Sequence, residues 1–300
     1  MNCFDVKNEF LINRSIYCSP ETVVFYDDSL KKFYDWLSLN YNLDSTSVFN
    51  LSVFQDYMLY LRDCNIKNTS INTYFRAVRA FCSYMYDHGY INKNYCIAVK
   101  SLRSDHEEKI PLTASDVASI DACFDFTDMI SLRNYLIFHL MLDCGLRRGE
   151  VVNLKRSDFN FDLAFISFIG KGSKKRVVPL PEFLIDYFKL YFDSVHSCEF
   201  AFVKNDNEPI NNSTVKMMIQ RLKTASGVKR LTAHLLRHTF ATSFIAGGGS
   251  LEFLRLLMGH SSYNVTLNYL HVAQICDLLQ IDLYKIDDCF FDFSQKKRSA

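Results

Sequence analysis

A polar stretch, SLRSDHEEK (Ser101 to Lys109), has Leu102 as its one apolar residue and runs directly into Ile110 and Pro111. Such a segment adds nothing to a core, and a residue before proline is steered away from helix, so the stretch reads as a linker. It divides the 300 residues into two parts, each long enough to bury its own interior. The expected layout is an N-terminal helical domain over residues 1–104, a linker over 105–112 and a second domain over 113–300.

Before the linker, apolar residues recur at helical spacing from Pro20 to about Leu39, with Ser19 placed as N-cap. Two further helices are expected over Val53 to Arg62 and Ser70 to His88, the latter ended by Gly89. Arg76 and Arg79 lie three residues apart and so share one side of that helix. After the linker, Thr113 with Asp116 has the form of a capping box. A long apolar helix follows from about Leu132 to Cys144, closed by Gly145. Phe159 to Ile169 and Arg176 to Leu180 have the aromatic and β-branched content of strands, with Gly170 to Ser173 as the turn between them. Helices resume over Ser213 to Ala225, His234 to Ala246 and Ser250 to Leu257. The fold class is mainly α with a small antiparallel β-sheet, a helical domain followed by a mixed α+β domain.

Hydrophobic residues make up 49% of the chain and charged residues 22%, the balance of a globular protein, and no apolar run is long enough to span a bilayer. The start, MNCFDVKNEF, lacks a basic segment followed by an apolar one, so no secretory signal is read and a cytoplasmic location without membrane association is expected. Ten cysteines include no C-x-x-C pair and sit among apolar neighbours, which fits reduced, mostly buried thiols. The net charge of +1 is low for a protein that neutralises phosphates. Its distribution is uneven: Asp277, Asp282, Asp287, Asp288 and Asp292 gather near the C-terminus, while basic residues gather from Lys171 to Arg176 and on the Arg76–Arg79 helix. A local positive surface is compatible with a near-neutral sum. No internal repeat or low-complexity tract is present.

Five separated pieces of the second domain carry groups suited to a phosphodiester. They are GLRRGE (Gly145 to Glu150), GKGSKKRVVPL (Gly170 to Leu180), HLLRHTFAT (His234 to Thr242), MGH (Met258 to His260) and Tyr269 within NYLHV. Arg147 and Arg237 are permanent cations with planar forks that match two phosphate oxygens. His234 and Arg237, three positions apart, share a helical face. Lys171 lies between Gly170 and Gly172, where a flexible turn lets an ammonium approach a phosphate. Each piece alone is weak, since Gly-Leu-Arg or His-x-x-Arg occurs by chance; their order and spacing together carry the signal.

In that order the pieces resemble the tyrosine recombinases, also called the phage integrase family, most closely the short Xer-like members. The resemblance covers the whole chain, because the N-terminal third is similar to that family's core-binding domain. It implies that Tyr269 attacks the scissile phosphate, leaving a 3′-phosphotyrosine and a 5′-hydroxyl, with the bond energy retained and no cofactor or ATP needed. It further implies that His234 accepts the tyrosine proton, Arg147 and Arg237 clamp the non-bridging oxygens, His260 hydrogen-bonds one of them, and Lys171 protonates the departing oxygen. Glu150 is expected to brace the basic residues. Lys174, Lys175 and Arg176 are expected to position phosphates, with Lys174 open as the acid if the turn differs. Arg76 and Arg79 are read as phosphate contacts, a solvated basic face being the alternative.

The implied function is a site-specific DNA recombinase acting as a homotetramer on two double-stranded DNA sites, in integration, excision or resolution of a DNA element. Short length favours an Xer-like or mobile-element recombinase, and a heterologous recombinase or accessory partner stays open. Two alternatives remain beside it: a type IB topoisomerase-like nicking and resealing enzyme, and a recombinase-derived DNA-binding regulator. The segment ICDLLQIDLYKI (Ile275 to Ile286) has helical apolar spacing and, by the resemblance, docks on a neighbouring protomer; packing against its own domain is the alternative. The final QKKRSA reads as disordered. Tyr263 and His271 read as packing or structural residues, and His238, on another helical face from His234, as a structural hydrogen bond. Histidines and cysteines lack metal-ligand spacing and carboxylates are not paired, so no metal is expected. Strand cleavage is therefore expected to proceed undiminished in chelator; cleavage that vanishes with chelator and returns with magnesium would contradict a metal-free site.

Overall fold

The computed structural model describes residues 3–103, 109–170, 174–195, 198–204, 207–260, 262–287 and 290. The chain forms two compact units, Met1–Glu107 and Glu108–Ala300, each with its own apolar core. Among the described residues no helix is long and apolar enough to cross a membrane.

The first unit holds α1 (Cys3–Tyr17), α2 (Pro20–Asn40), α3 (Leu51–Asp63) and α4 (Asn68–Asp87). On α2, Leu30, Phe33, Tyr34 and Leu37 follow an i, i+3, i+4, i+7 stripe, and all are buried. The stripe meets α4 residues such as Phe75, Val78 and Phe81. Phe33 is central: its ring lies 4.8 Å from that of Tyr57 and is fully buried, a burial that stabilises the unit by about 1.5–3 kcal/mol. Ser19 occupies the N-cap of α2 as expected, but its hydroxyl pairs with Thr22 Oγ1 at 3.1 Å and not with a backbone N–H. Helix α1 was not read from the sequence. Its buried face rests on Cys3, Val6 and Phe10 alone, and the Tyr34 hydroxyl ties it down by donating to the Cys3 carbonyl at 2.7 Å.

The second unit contains α5 (Ala114–Asp121), α6 (Met129–Leu142), α7 (Arg148–Val151), α8 (Glu182–Ser194), α9 (Asn212–Ala225), α10 (Ala233–Ala246), α11 (Leu251–Met258) and α12 (Tyr263–Leu278). Thr113 and Asp116 form the capping box of α5. Helices α6 and α10 are apolar nearly all round and make the centre of the core. The sheet runs β1 (Phe159–Asn160), β2 (Phe165–Ile169), β3 (Lys175–Pro179), in that order and antiparallel. The stretch expected as one strand, Phe159 to Ile169, is two short strands. A turn separates them, with Ala164 at φ 48 and the Leu163 N–H held by Asn160 Oδ1 at 2.9 Å. Along β3, Arg176 and Val178 face inward while Lys175 and Val177 face out.

Two expectations change. Residues 109–112, assigned to the linker, are fixed to the second unit: Arg230 donates to the carbonyls of Ile110 and Pro111, and the Leu112 N–H donates to Thr239 Oγ1 at 2.9 Å. The Ile275–Ile286 stretch is not one helix. Helix α12 continues through Leu278, and beyond it the chain is extended, with Leu283 bridging to Thr113 and Ile286 buried in the same unit. The Tyr284 hydroxyl donates to Asp143 Oδ1 at 2.9 Å, and Asp143 Oδ2 lies 2.6 Å from His139 Nδ1. The His139 ring is further held by Asp121 at 3.2 Å. Burial opposes its charge, but the two carboxylates prevail and push its pKa up to about 9.

Gly145 closes α6 with φ 64, and a Cβ there would lie 2.4 Å from Phe240 Cδ1. Left-handed backbone and overpacking act together at this position. Gly145→Ala is expected to cost about 2–5 kcal/mol, read as a lowered urea midpoint.

Candidate active site

Arg237 projects from the buried helix α10 and is itself 5% exposed. Burial of so large a cation is tolerable only with acceptors around it. Its guanidinium donates to the Gly145 carbonyl and, at 2.5 Å, to the Met258 carbonyl. One acceptor lies in the turn after α6 and the other is the last residue of α11, so this side chain joins three helices. Burial and then Arg147 lower its proton affinity, yet a guanidinium in such a setting remains a cation.

Arg147 follows the left-handed Gly145 and starts α7. Its Nη1 donates to Glu150 Oε1 at 2.9 Å, and its backbone N–H donates to Glu150 Oε2 at 2.8 Å. Glu150 also receives Arg176 Nη1 at 2.5 Å and lies 4.0 Å from Arg237. Burial alone would raise its pKa, but Arg176 and Arg147 hold the carboxyl below its usual range. Three guanidinium groups thus share one carboxylate, and the pocket carries excess positive charge.

His260 follows Gly259, the left-handed C-cap of α11 at φ 58. Its Nδ1 lies 3.1 Å from Thr266 Oγ1 and its Nε2 lies 3.4 Å from Arg237 Nη2. Burial first, then Arg237, Arg147 and Arg176, push its pKa down to about 4. Tyr269 sits on α12, three residues past Thr266 and so about one turn further on. Its ring is 8% exposed, stacks on His260 at 6.0 Å with 10° between planes, and lies 5.4 Å from the ring of His238. Burial raises the phenol pKa, while Arg237 and Arg147 pull it down. His234 is exposed at the first turn of α10. Partial withdrawal of its ring from water, then the charges of Lys109, Arg237 and Arg147, lower its pKa.

Arg147, Glu150, Arg237, His260 and Tyr269 therefore converge, with His234 at the rim. Lys171 lies outside the described residues; the flanking Gly170 N–H donates to the Lys174 carbonyl at 2.9 Å. Lys174 and Lys175 are exposed. Arg176 departs from its expected role as a phosphate contact, because strand alternation turns it into the core, 7% exposed, onto Glu150 and the Leu257 carbonyl. Arg79 departs similarly: it donates to the Val99 carbonyl at 2.6 Å and to Ser101 Oγ at 3.2 Å, fixing the chain that follows α4. Arg76 stays exposed, its guanidinium 5.0 Å from the Phe25 ring. His238 makes the structural bond expected of it, to the Lys109 carbonyl at 2.7 Å. Tyr263, read as a packing residue, is 44% exposed. Thr266, buried against His260, was not singled out in the sequence, where a lone threonine six residues after a histidine gives no signal.

A profile of the phage integrase family matches residues 111–275, the span that holds every one of these converging groups. The chain belongs to the phage integrase family. Members of this family are tyrosine recombinases, enzymes of DNA strand breakage and rejoining. The tyrosine recombinase XerD of Staphylococcus aureus (strain Mu50 / ATCC 700699) is 24% identical over 264 residues, 85% of this chain and 89% of that protein. XerD of Staphylococcus saprophyticus is 25% identical over the same length. The fold is similar to that of the Tn1549 transposon integrase in complex with a circular intermediate DNA, with TM-score 0.72, 20% identity and coverage of 90% and 94% of the two chains. It is also similar to a lambda integrase dimer bound to a COC' core site, with TM-score 0.69, 19% identity and coverage of 90% and 95%.

The environment of this integrase-family site fixes a pH response. Between the ordinary histidine value of 6.5 and about 4, the unfolded chain takes up a proton at residue 260 that the native site refuses, so stability falls as pH falls through that window. Urea midpoints measured across it are expected to decline less steeply in His260→Gln than in the wild type, and an NMR titration should place the His260 midpoint near 4.

Proposed function

We propose that this chain is a site-specific recombinase that cuts double-stranded DNA with Tyr269 and rejoins it to a new partner. The observation that carries the reading is the convergence of Arg147, Arg237 and His260 on a stacked, largely buried Tyr269. A phosphate entering this excess of positive charge gains most as negative charge builds on its non-bridging oxygens, which is when stabilisation accelerates the reaction. The two guanidinium forks hold those oxygens, and Glu150 fixes Arg147 by accepting from both its side chain and its backbone.

Tyr269 Oη attacks phosphorus, the bond to the 5′-oxygen breaks, and a 3′-phosphotyrosine forms. His234, neutral at pH 7 because its pKa is depressed, takes the phenolic proton. Lys171 gives a proton to the leaving oxygen. His260 serves as a donor to one phosphate oxygen: Thr266 Oγ1 can accept or donate, so the imidazole proton can move to Nε2 when an anionic oxygen arrives. The 5′-hydroxyl of a partner strand then attacks the phosphotyrosine, reversing the chemistry with retained bond energy.

The helical unit before the polar stretch supplies a second grip on the duplex through Arg76, while the exposed Lys174 and Lys175 of the second unit contact phosphates beside the site. The assembly is a homotetramer on two sites, acting on a mobile element or a chromosomal repeat. The solved structures that hold circular-intermediate or core-site DNA support double-stranded DNA as the substrate, and recombination is favoured over simple nicking and resealing because every relative named above is a recombinase or integrase.

On a nicked duplex recovered by binding selection, wild type is expected to form a covalent band on a denaturing gel and Tyr269→Phe none. A band that persists in Tyr269→Phe would move the nucleophile elsewhere, with the exposed Tyr263 tested next.

A further inference from the structure

Arg176 is a buried cation that the chemistry proposed above does not use. It sits on β3 opposite Phe168, and its guanidinium lies 5.2 Å from the Phe168 ring centre. One arm donates to Glu150 Oε1 at 2.5 Å and the other to the Leu257 carbonyl near the end of α11. Its Nε is buried without an acceptor among the described residues, a cost that a purely packing role would avoid by using an apolar residue.

Two glycines make room for it. A Cβ on Gly259 would lie 2.9 Å from Arg176 Cδ and 3.0 Å from its Nε; a Cβ on Gly170 would lie 3.0 Å from the same Cδ. Gly259 immediately precedes His260, and its backbone already requires the left-handed region. The Arg176 side chain therefore runs against the backbone that presents His260 and ends on the carboxylate that orients Arg147. Sheet, helix end and arginine-bearing turn meet on this one fork, with no lysine geometry able to span both acceptors at once.

We propose that Arg176 is a positioning residue for strand cleavage, setting Arg147 through Glu150 and His260 through Gly259 and the end of α11. The inference rests on the reading of Arg147 as a cation on the scissile phosphate. Loss of the fork leaves Glu150 free to turn toward Arg237, 4.0 Å away, and Arg147 loses its fixed partner. A misplacement of Arg147 by about 1 Å is worth about 100-fold in rate, without any direct contact between Arg176 and DNA.

The test uses the full chain and a nicked duplex recovered from a randomised pool by rounds of binding. The linkage that wild type cuts is prepared as a normal phosphate and as a methylphosphonate, in which a methyl group replaces one non-bridging oxygen and removes its charge. Arg176→Met is expected to form the covalent complex about 100-fold more slowly on phosphate and to come within about 10-fold of wild type on methylphosphonate, the same recovery being expected of Arg147→Ala. Arg176→Lys, which keeps charge without the fork, should show a smaller defect with the same recovery. Urea midpoints and DNA affinity on the same preparations correct for unfolded protein. Equal slowing on both linkages while Arg147→Ala recovers would overturn the inference and leave Arg176 a folding residue. Failure of Arg147→Ala to recover would remove the reading of Arg147 itself, and the inference with it.

Discussion

The Glu150 carboxylate is the charge on which the site's geometry depends. Arg147 and Arg176 both bond one of its oxygens, and Arg237 lies 4.0 Å from the other. Without it, three like charges in one small volume would repel by an amount that grows as water is excluded. With it, the guanidinium groups stay close and oriented, and enough positive charge is left over to receive an anion. The carboxylate is itself held below its normal pKa by the cations it serves, so the arrangement is mutual: removing any member alters the protonation and placement of the rest.

That arrangement explains why so much secondary structure serves a few side chains. The turn that follows α6 and the last residue of α11 lie within reach of Arg237 on α10, whose donors take up the carbonyls of Gly145 and Met258. Carbonyls at helix ends lack intrahelical partners, and a buried guanidinium needs acceptors. Each satisfies the other, so the helix ends and the phosphate-binding cation are solved by the same bonds. The stacked His260 and Tyr269 rings are then set by the turn between α11 and α12.

Much of this was legible in the sequence because it lives in local rules. The Thr113–Asp116 capping box, the helical periods around Phe33 and Phe75, and Gly145 and Gly259 as helix stops are all readable residue by residue, as was the order of Arg147, His234, Arg237, His260 and Tyr269. What escaped was tertiary. Helix α1 has too sparse an apolar face to stand out until Tyr34 and Phe81 are seen against it. Arg76 and Arg79 look equivalent on a helix face, yet Arg79 finds the Val99 carbonyl from twenty residues away. Lys174, Lys175 and Arg176 look like one basic run. Strand alternation could have separated the third from the other two, since Arg176 shares parity with Val178, but composition drew all three together.

The extended segment after α12 gives that helix a second fixed end. At its start, His260 is bonded to Thr266 inside the first turns; past its end, Tyr284 is bonded to Asp143 on the terminus of α6. Helix α12 therefore behaves as a beam clamped at both supports, with the tyrosine between them. The far contact, fifteen residues past the nucleophile and partly buried, thus bears on where Tyr269 stands through the covalent chain that joins them and not through the charges around the tyrosine.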